Sequence, residues 1–114
     1  MFVTTFRYRV LATKLRQFLD LQRRAEALYQ SEQGHRVVYL RNTNDRCQWL
    51  ELHFFADEAA HSASLERWQQ HAAMSALWEE FKQTLDPTFP MGVDEFRRFS
   101  HDDGQSSATG AAEV

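Results

Sequence analysis

The chain has 114 residues and a mass of 13.4 kDa, with 43% hydrophobic and 25% charged residues, a composition that suits one folded domain and leaves no room for two. Thirteen Lys and Arg against sixteen Asp and Glu give a net charge of -3, which excludes a strongly basic phosphate-neutralising surface and, with it, nucleic acid as the main partner. The single cysteine, Cys47, excludes an internal disulfide and a Cys-rich zinc site, and no run approaches the ~20 apolar residues of a membrane span.

Alternation opens the sequence. Phe2, Thr4, Phe6, Tyr8 and Val10 fall on one side and Val3, Thr5, Arg7 and Arg9 on the other, the period of a strand. The same stretch lacks the unbroken apolar core of a signal peptide, so a cytoplasmic protein is expected. From Thr13 the period becomes helical: Leu15, Phe18, Leu19, Gln22, Ala25, Leu28 and Tyr29 form a stripe, predicting a helix over 13–31 that stops before Gly34. A strand over 35–41, a turn at 42–45 and a strand over 46–55 then read as an antiparallel hairpin. Asp57 caps a long helical region over 58–85, which should bend near 71–73 because it exceeds the usual helix length. The prolines at 87 and 90 make 86–92 a loop, and 93–100 is the last strand. Residues 101–114 are rich in Ser, Gly and Ala without apolar anchors, which predicts a disordered tail beyond a domain of residues 1–100.

The order β-α-β-β-α-β predicts an α+β, ferredoxin-like fold: a four-stranded antiparallel sheet with both helices on one face. Such a sheet should be polar on its open face. Here the third strand is apolar on both sides, with Trp49, Glu51, His53 and Phe55 opposite Gln48, Leu50, Leu52 and Phe54. The second strand repeats this with Val37 and Tyr39 against Val38 and Leu40. A second copy packed face to face across a twofold axis is the economical cover, so a homodimer is expected.

The run from Trp49 through Glu51, His53 and Phe55 into Asp57-Glu58-Ala59-Ala60, followed by His71, Met74, Leu77 and Trp78, resembles the dimeric α/β-barrel superfamily and, within it, the antibiotic-biosynthesis-monooxygenase-like proteins. The likeness spans roughly residues 1–100. It implies the fold and the dimeric barrel and leaves the reaction open; the function expected on that fold is a monooxygenase-like or degradative enzyme acting on a small aromatic or apolar compound. Members that form quinones without a cofactor, and members that degrade heme, use an Asn, a Trp and a His or Arg in the pocket. This chain departs from them in its first strand, where Thr4 and Thr5 stand and no Asn occurs.

Glu51 and His53 lie two apart on one strand and share a face. Beside Trp49 in an apolar cavity, the carboxyl group would be pushed toward the range of a general base, and Glu51, His53 and the helix histidine His71 are the candidate catalytic residues. The structural alternative is a Glu51 paired with Arg9 or Arg97. Phe6, Tyr8, Trp49, Trp68 and Trp78 are the candidate pocket walls. His71 with Trp68 could also serve as an axial heme ligand or as a helix cap; otherwise no cofactor is expected, and no His-x-x-x-His or similar pairing suggests a metal. Arg7, Arg9, Arg97 and Arg98 on the terminal strands could bind an anion or pair with neighbouring carboxylates. The third strand, RCQWLELHFF, lacks the glycine and aromatic pattern of an RNA-recognition motif, and no Cys-x-x-Cys follows the first strand. The competing function is a non-catalytic ligand-binding or protein-interaction module that keeps only the fold. An open or filled cavity beside Glu51 separates the two.

Overall fold

The computed structural model describes residues 1–32 and 34–101. The expected tail, apart from His101, lies outside them. Strand β1 (Phe2–Arg9) is followed by a short 3-10 turn (Ala12–Lys14), helix α1 (Leu15–Gln30), strands β2 (Arg36–Arg41) and β3 (Gln48–Phe55), helices α2 (Glu58–Gln69) and α3 (Ala72–Thr84), and strand β4 (Gly92–Arg97). The sheet is antiparallel with order β2-β3-β1-β4, the ferredoxin-like arrangement.

Local chemistry sets the boundaries. The Asp57 carboxylate accepts the Ala60 N–H at 2.8 Å and starts α2. The long helical region divides after Gln69, where His71 adopts an extended backbone and its Nδ1 accepts the Met74 N–H at 3.3 Å, capping α3. Gly34, at φ 83, makes the left-handed step that turns the chain out of α1 toward β2. In the hairpin, the Asn42 side chain accepts from the backbone of Asn44 and Asp45, and the Asp45 carboxylate accepts the Cys47 N–H at 3.0 Å. Those bonds turn the chain at Arg46 and Cys47, so β3 begins at Gln48 and not at residue 46, while the Cys47 carbonyl still accepts the Val10 N–H at 2.8 Å.

The helix-facing row of β1 carries Phe2, Thr4, Phe6 and Tyr8, in register with Phe55, His53, Glu51 and Trp49 of β3. The core sits between this layer and α1: Tyr8, Val10, Leu15, Phe18, Cys47 and Trp49 are buried together. Phe18 meets Tyr8 edge-on at 5.8 Å between ring centres and lies 5.2 Å from Trp49. Val3, Thr5, Arg7, Leu50, Leu52, Phe54, Val38 and Leu40 face the other way, on a side of the sheet that no described helix covers. Among the described residues no helix is long and apolar enough to cross a membrane.

Candidate active site

Toward Thr4 and His53 the helices stand off the sheet and leave a cavity of about 610 Å³. Its walls include Phe6, Tyr8, Trp68 and Trp78 of the expected set, together with Phe18, Tyr29, Tyr39 and Phe81. Trp49 belongs to the core against Phe18 and is not a wall. His71 stays at the surface as the α3 cap, its ring tilted against Trp68 at 5.2 Å between centres and apart from the cavity, which does not suit it to hold heme there.

Glu51 and His53 meet in the cavity, where period-two side chains on β3 place them. The Tyr8 hydroxyl donates to Glu51 Oε1 at 2.7 Å, and Glu51 Oε2 lies 2.5 Å from His53 Nε2. The carboxyl group thus sits between a phenol and an imidazole, in a compartment lined elsewhere by further rings, by Leu, Met and Ala side chains and by a few polar groups. The pairing of Glu51 with Arg9 or Arg97 does not occur. Arg9 lies on the opposite face of β1 and binds Asp45 and Asp86, each at 2.8 Å, tying the hairpin and the loop after α3 to the central strand. Arg97 reaches Glu58 at the start of α2, 2.6 Å away. Those two arginines are therefore matched by carboxylates and do not form a cationic pocket.

The phenols around the site stay protonated. Burial, and then the Glu51 carboxylate, push the Tyr8 hydroxyl far above its usual range, and Tyr29 and Tyr39 move in the same direction for the same reasons. Tyr8 is thus a hydrogen-bond donor to Glu51 at any ordinary pH.

Three residues of the site were not singled out from the sequence. His35 Nε2 lies 2.9 Å from His53 Nδ1, with its ring packed between Tyr29 and Phe55. His61 is buried against Phe2 and Phe55. Glu32 lies behind His35, outside the cavity lining, accepting from Ser64 and pairing with Arg67 on α2. A signal for His35 existed, since it heads the alternation that places Val37 and Tyr39 on the helix side of β2. The register that sets Val37 opposite His53 could come only from the folded sheet. Thr4 Oγ1, Gln22 Nε2 and Trp68 Nε1 are buried, belong to cavity-lining residues and have no hydrogen-bond partner among the described residues. Such groups favour an occupant that brings polar atoms to an apolar space. Among the described residues no three His, Cys, Asp or Glu side chains are grouped to hold a metal ion.

Burial, and then the neighbouring His53, hold the His35 imidazole down at about 4, against 6.5 for the unperturbed group. The unfolded chain therefore takes up a proton that the folded chain refuses between those values. This contribution to stability is fully present above about pH 6.5 and is lost as pH falls toward 4, by on the order of 3 kcal/mol. Urea unfolding followed from about pH 7 to about pH 4 should show that fall, and the His35→Phe chain should show a flatter profile over the same range. Equal slopes in the two proteins would remove His35 as the cause.

No protein-family profile matches the chain, and no curated protein matches its sequence. Solved structures do. A protein from Nitrosomonas europaea, provisionally described as an antibiotic biosynthesis monooxygenase, superposes with a TM-score of 0.72 over 88% of this chain and 100% of its own, at 16% identity. SnoaB, a cofactor-independent oxygenase from Streptomyces nogalater, gives 0.68 over 87% and 93% at 13% identity. An uncharacterized NIPSNAP domain protein from Burkholderia xenovorans gives 0.68 over 88% and 96% at 18% identity. At these identities the likeness is one of fold: the chain has the α+β architecture of the antibiotic-biosynthesis-monooxygenase-like proteins.

Proposed function

We propose that the chain is a cytoplasmic, homodimeric, monooxygenase-like enzyme that takes a small aromatic or apolar compound into the cavity and needs no cofactor. The observation that carries this reading is the Tyr8–Glu51–His53 cluster set into the wall of an open, ring-lined space of about 610 Å³. A phenolic or enolic compound seated there loses its proton to Glu51, with His53 sharing the charge, and the resulting electron-rich anion is the species that reacts with molecular oxygen. The ring walls hold the compound and exclude water from the anion. Thr4, Gln22 and Trp68 supply unpaired polar groups for its oxygen atoms. The compound itself is the reductant: a phenol with a free ring C–H para to its hydroxyl and one O2 give a quinone and one water, one oxygen atom entering the ring while the two protons and two electrons the compound gives up reduce the other to water.

Small phenols and naphthols are the direct test. They should quench the fluorescence of the cavity tryptophans saturably, and the bound ones should drive oxygen uptake in the absence of added flavin, heme or metal. Saturable quenching without uptake would overturn the enzymatic reading and leave a ligand-binding module. Absence of both would overturn the cavity as a binding site.

A further inference from the structure

The Glu51–His53 pair does not end at His53. His53 Nδ1 lies 2.9 Å from His35 Nε2, and on the far side of that ring His35 Nδ1 faces Glu32 Oε2 at 3.4 Å. Glu32 accepts from Ser64 Oγ at 3.4 Å and pairs with Arg67. Four ionisable side chains, drawn from β3, the head of β2 and the end of α1, thus form one unbranched line. It starts at the cavity and finishes at Arg67, whose side chain is 59% exposed.

We propose that this line is a proton relay, through which Glu51 exchanges its proton with water at the seam between α1 and α2 while the cavity is occupied. It rests on the reading of Glu51 and His53 as the proton-transfer pair. A ligand that fills an apolar cavity displaces the water that would otherwise carry the proton away, so a base beneath it needs another exit. The relay supplies one: a proton taken up on Glu51 passes to His53 Nε2, the proton on His53 Nδ1 passes to His35 Nε2, and the proton on His35 Nδ1 passes to Glu32, which releases it to water. Each ring accepts at one nitrogen and donates from the other, so neither ring is left charged and the passage leaves both rings Nε2-protonated; a proton returning from water through Glu32 to Glu51, when the reduction of oxygen to water consumes it, restores the starting form.

The surroundings favour this use. Desolvation keeps His35 neutral near pH 7, the form that can both accept and donate. Tyr29 from α1, Tyr39 from β2 and His61 from α2 also face this region; the two phenols remain protonated there and supply no competing base.

Hydrogen-bond accounting makes the relay testable without a substrate. Arg67 only donates, so an ionised Glu32 must be the acceptor for His35 as well. His35 then carries its proton on Nδ1, its Nε2 accepts from His53 Nδ1, and a third proton lies between His53 Nε2 and Glu51 Oε2, 2.5 Å apart; both rings are Nδ1-protonated while Glu51 holds the proton it relays, and Glu51 becomes the ionised base once that proton has left through Glu32. In Glu32→Gln the side-chain oxygen stays with Arg67 and the amide N–H₂ turns to His35, which must now accept at Nδ1. Both rings should therefore switch to the Nε2-protonated form, although residue 32 does not touch His53.

The experiment is NMR of isotope-labelled imidazole nitrogens in the whole chain near neutral pH. The expected result is Nδ1 protonation on both rings of the native protein, and an exchange of protonated and unprotonated nitrogen shifts on both rings in E32Q. A native chain whose two rings carry their protons on different nitrogens would overturn the relay without any variant. So would a folded E32Q in which His35 switches and His53 does not, because a merely structural clasp moves only its own partner. The outcome is separable from that of the proposed activity. A missing switch alongside Glu51-dependent turnover would sink the relay alone, and a coupled switch alongside turnover indifferent to Glu51 would sink the activity alone.

Discussion

Glu51→Gln should lower turnover by about 10²–10⁴-fold while leaving ligand affinity within about tenfold, or ~1.4 kcal/mol. Gln has the shape of Glu and keeps an oxygen for the Tyr8 hydroxyl, which lies 2.7 Å from Glu51 Oε1. Its amide can donate to His53 Nε2, which lies 2.5 Å from the carboxylate in the native chain. The cavity walls are untouched, so binding by the rings and by the unpaired polar groups persists. What disappears is the carboxylate, the group able to take a proton from a bound phenol. The loss should fall on kcat with KM nearly unchanged, the signature of an interaction made in the transition state and not in the ground state. Oxygen uptake as a function of phenol concentration, together with tryptophan quenching for affinity, measures both quantities. Native-like kcat in the Gln variant would remove Glu51 as the base.

Leu52→Asp should convert the proposed homodimer into a monomer. Leu52 is at the middle of β3 on the uncovered face, paired in register with Thr5 of β1 and Val38 of β2. Around it lie Leu50 and Phe54, the latter with the Arg36 guanidinium 4.8 Å above its ring. A face-to-face partner would bury two such aspartates close to a twofold axis, while the nearby Arg36 guanidinium is held over the Phe54 ring. That costs several kcal/mol, against the ~8 kcal/mol that holds a micromolar dimer. In the separated chain the same aspartate is wetted by water, so the fold should survive. Sedimentation should find a native dimer and a monomeric variant with an unchanged far-ultraviolet dichroism spectrum. A native chain that stays monomeric at high concentration would refute the face-to-face assembly.

Much of the fold was legible because it rests on periodicity and on short-range chemistry. The alternation of Phe2 through Val10, the helical stripe from Leu15 to Tyr29, the Asp57 cap and the overlong helix broken near His71 all follow from residues within one or two turns of each other. Alternation likewise put Glu51 and His53 on a common face before any contact was known. The boundaries that moved did so through side-chain bonds to the backbone, as at Asp45 and Cys47, which hydropathy does not register.

The rest of the site depended on contacts across long stretches of chain. Arg9 and Arg97 were equally plausible partners for Glu51 in sequence, and the pleat decided otherwise. Arg9 points away from the helices to Asp45 and Asp86, while Arg97 is drawn to Glu58 at the edge of the sheet. Trp49 and Trp68 were indistinguishable as walls until packing assigned one to the core beside Phe18 and the other to the cavity. His35 met His53 only because the β2–β3 register set Val37 opposite His53, and Glu32 met Arg67 only because α2 folds back across the end of α1. The sequence by itself determined the α+β architecture, the greasy open face and the shared side of Glu51 and His53, since each is encoded in the local period of the chain. Only the tertiary structure decided that these side chains open onto an unfilled cavity and continue through a second histidine to the surface. Cavity volume and cross-strand register are sums over residues far apart in sequence, and no local pattern carries them.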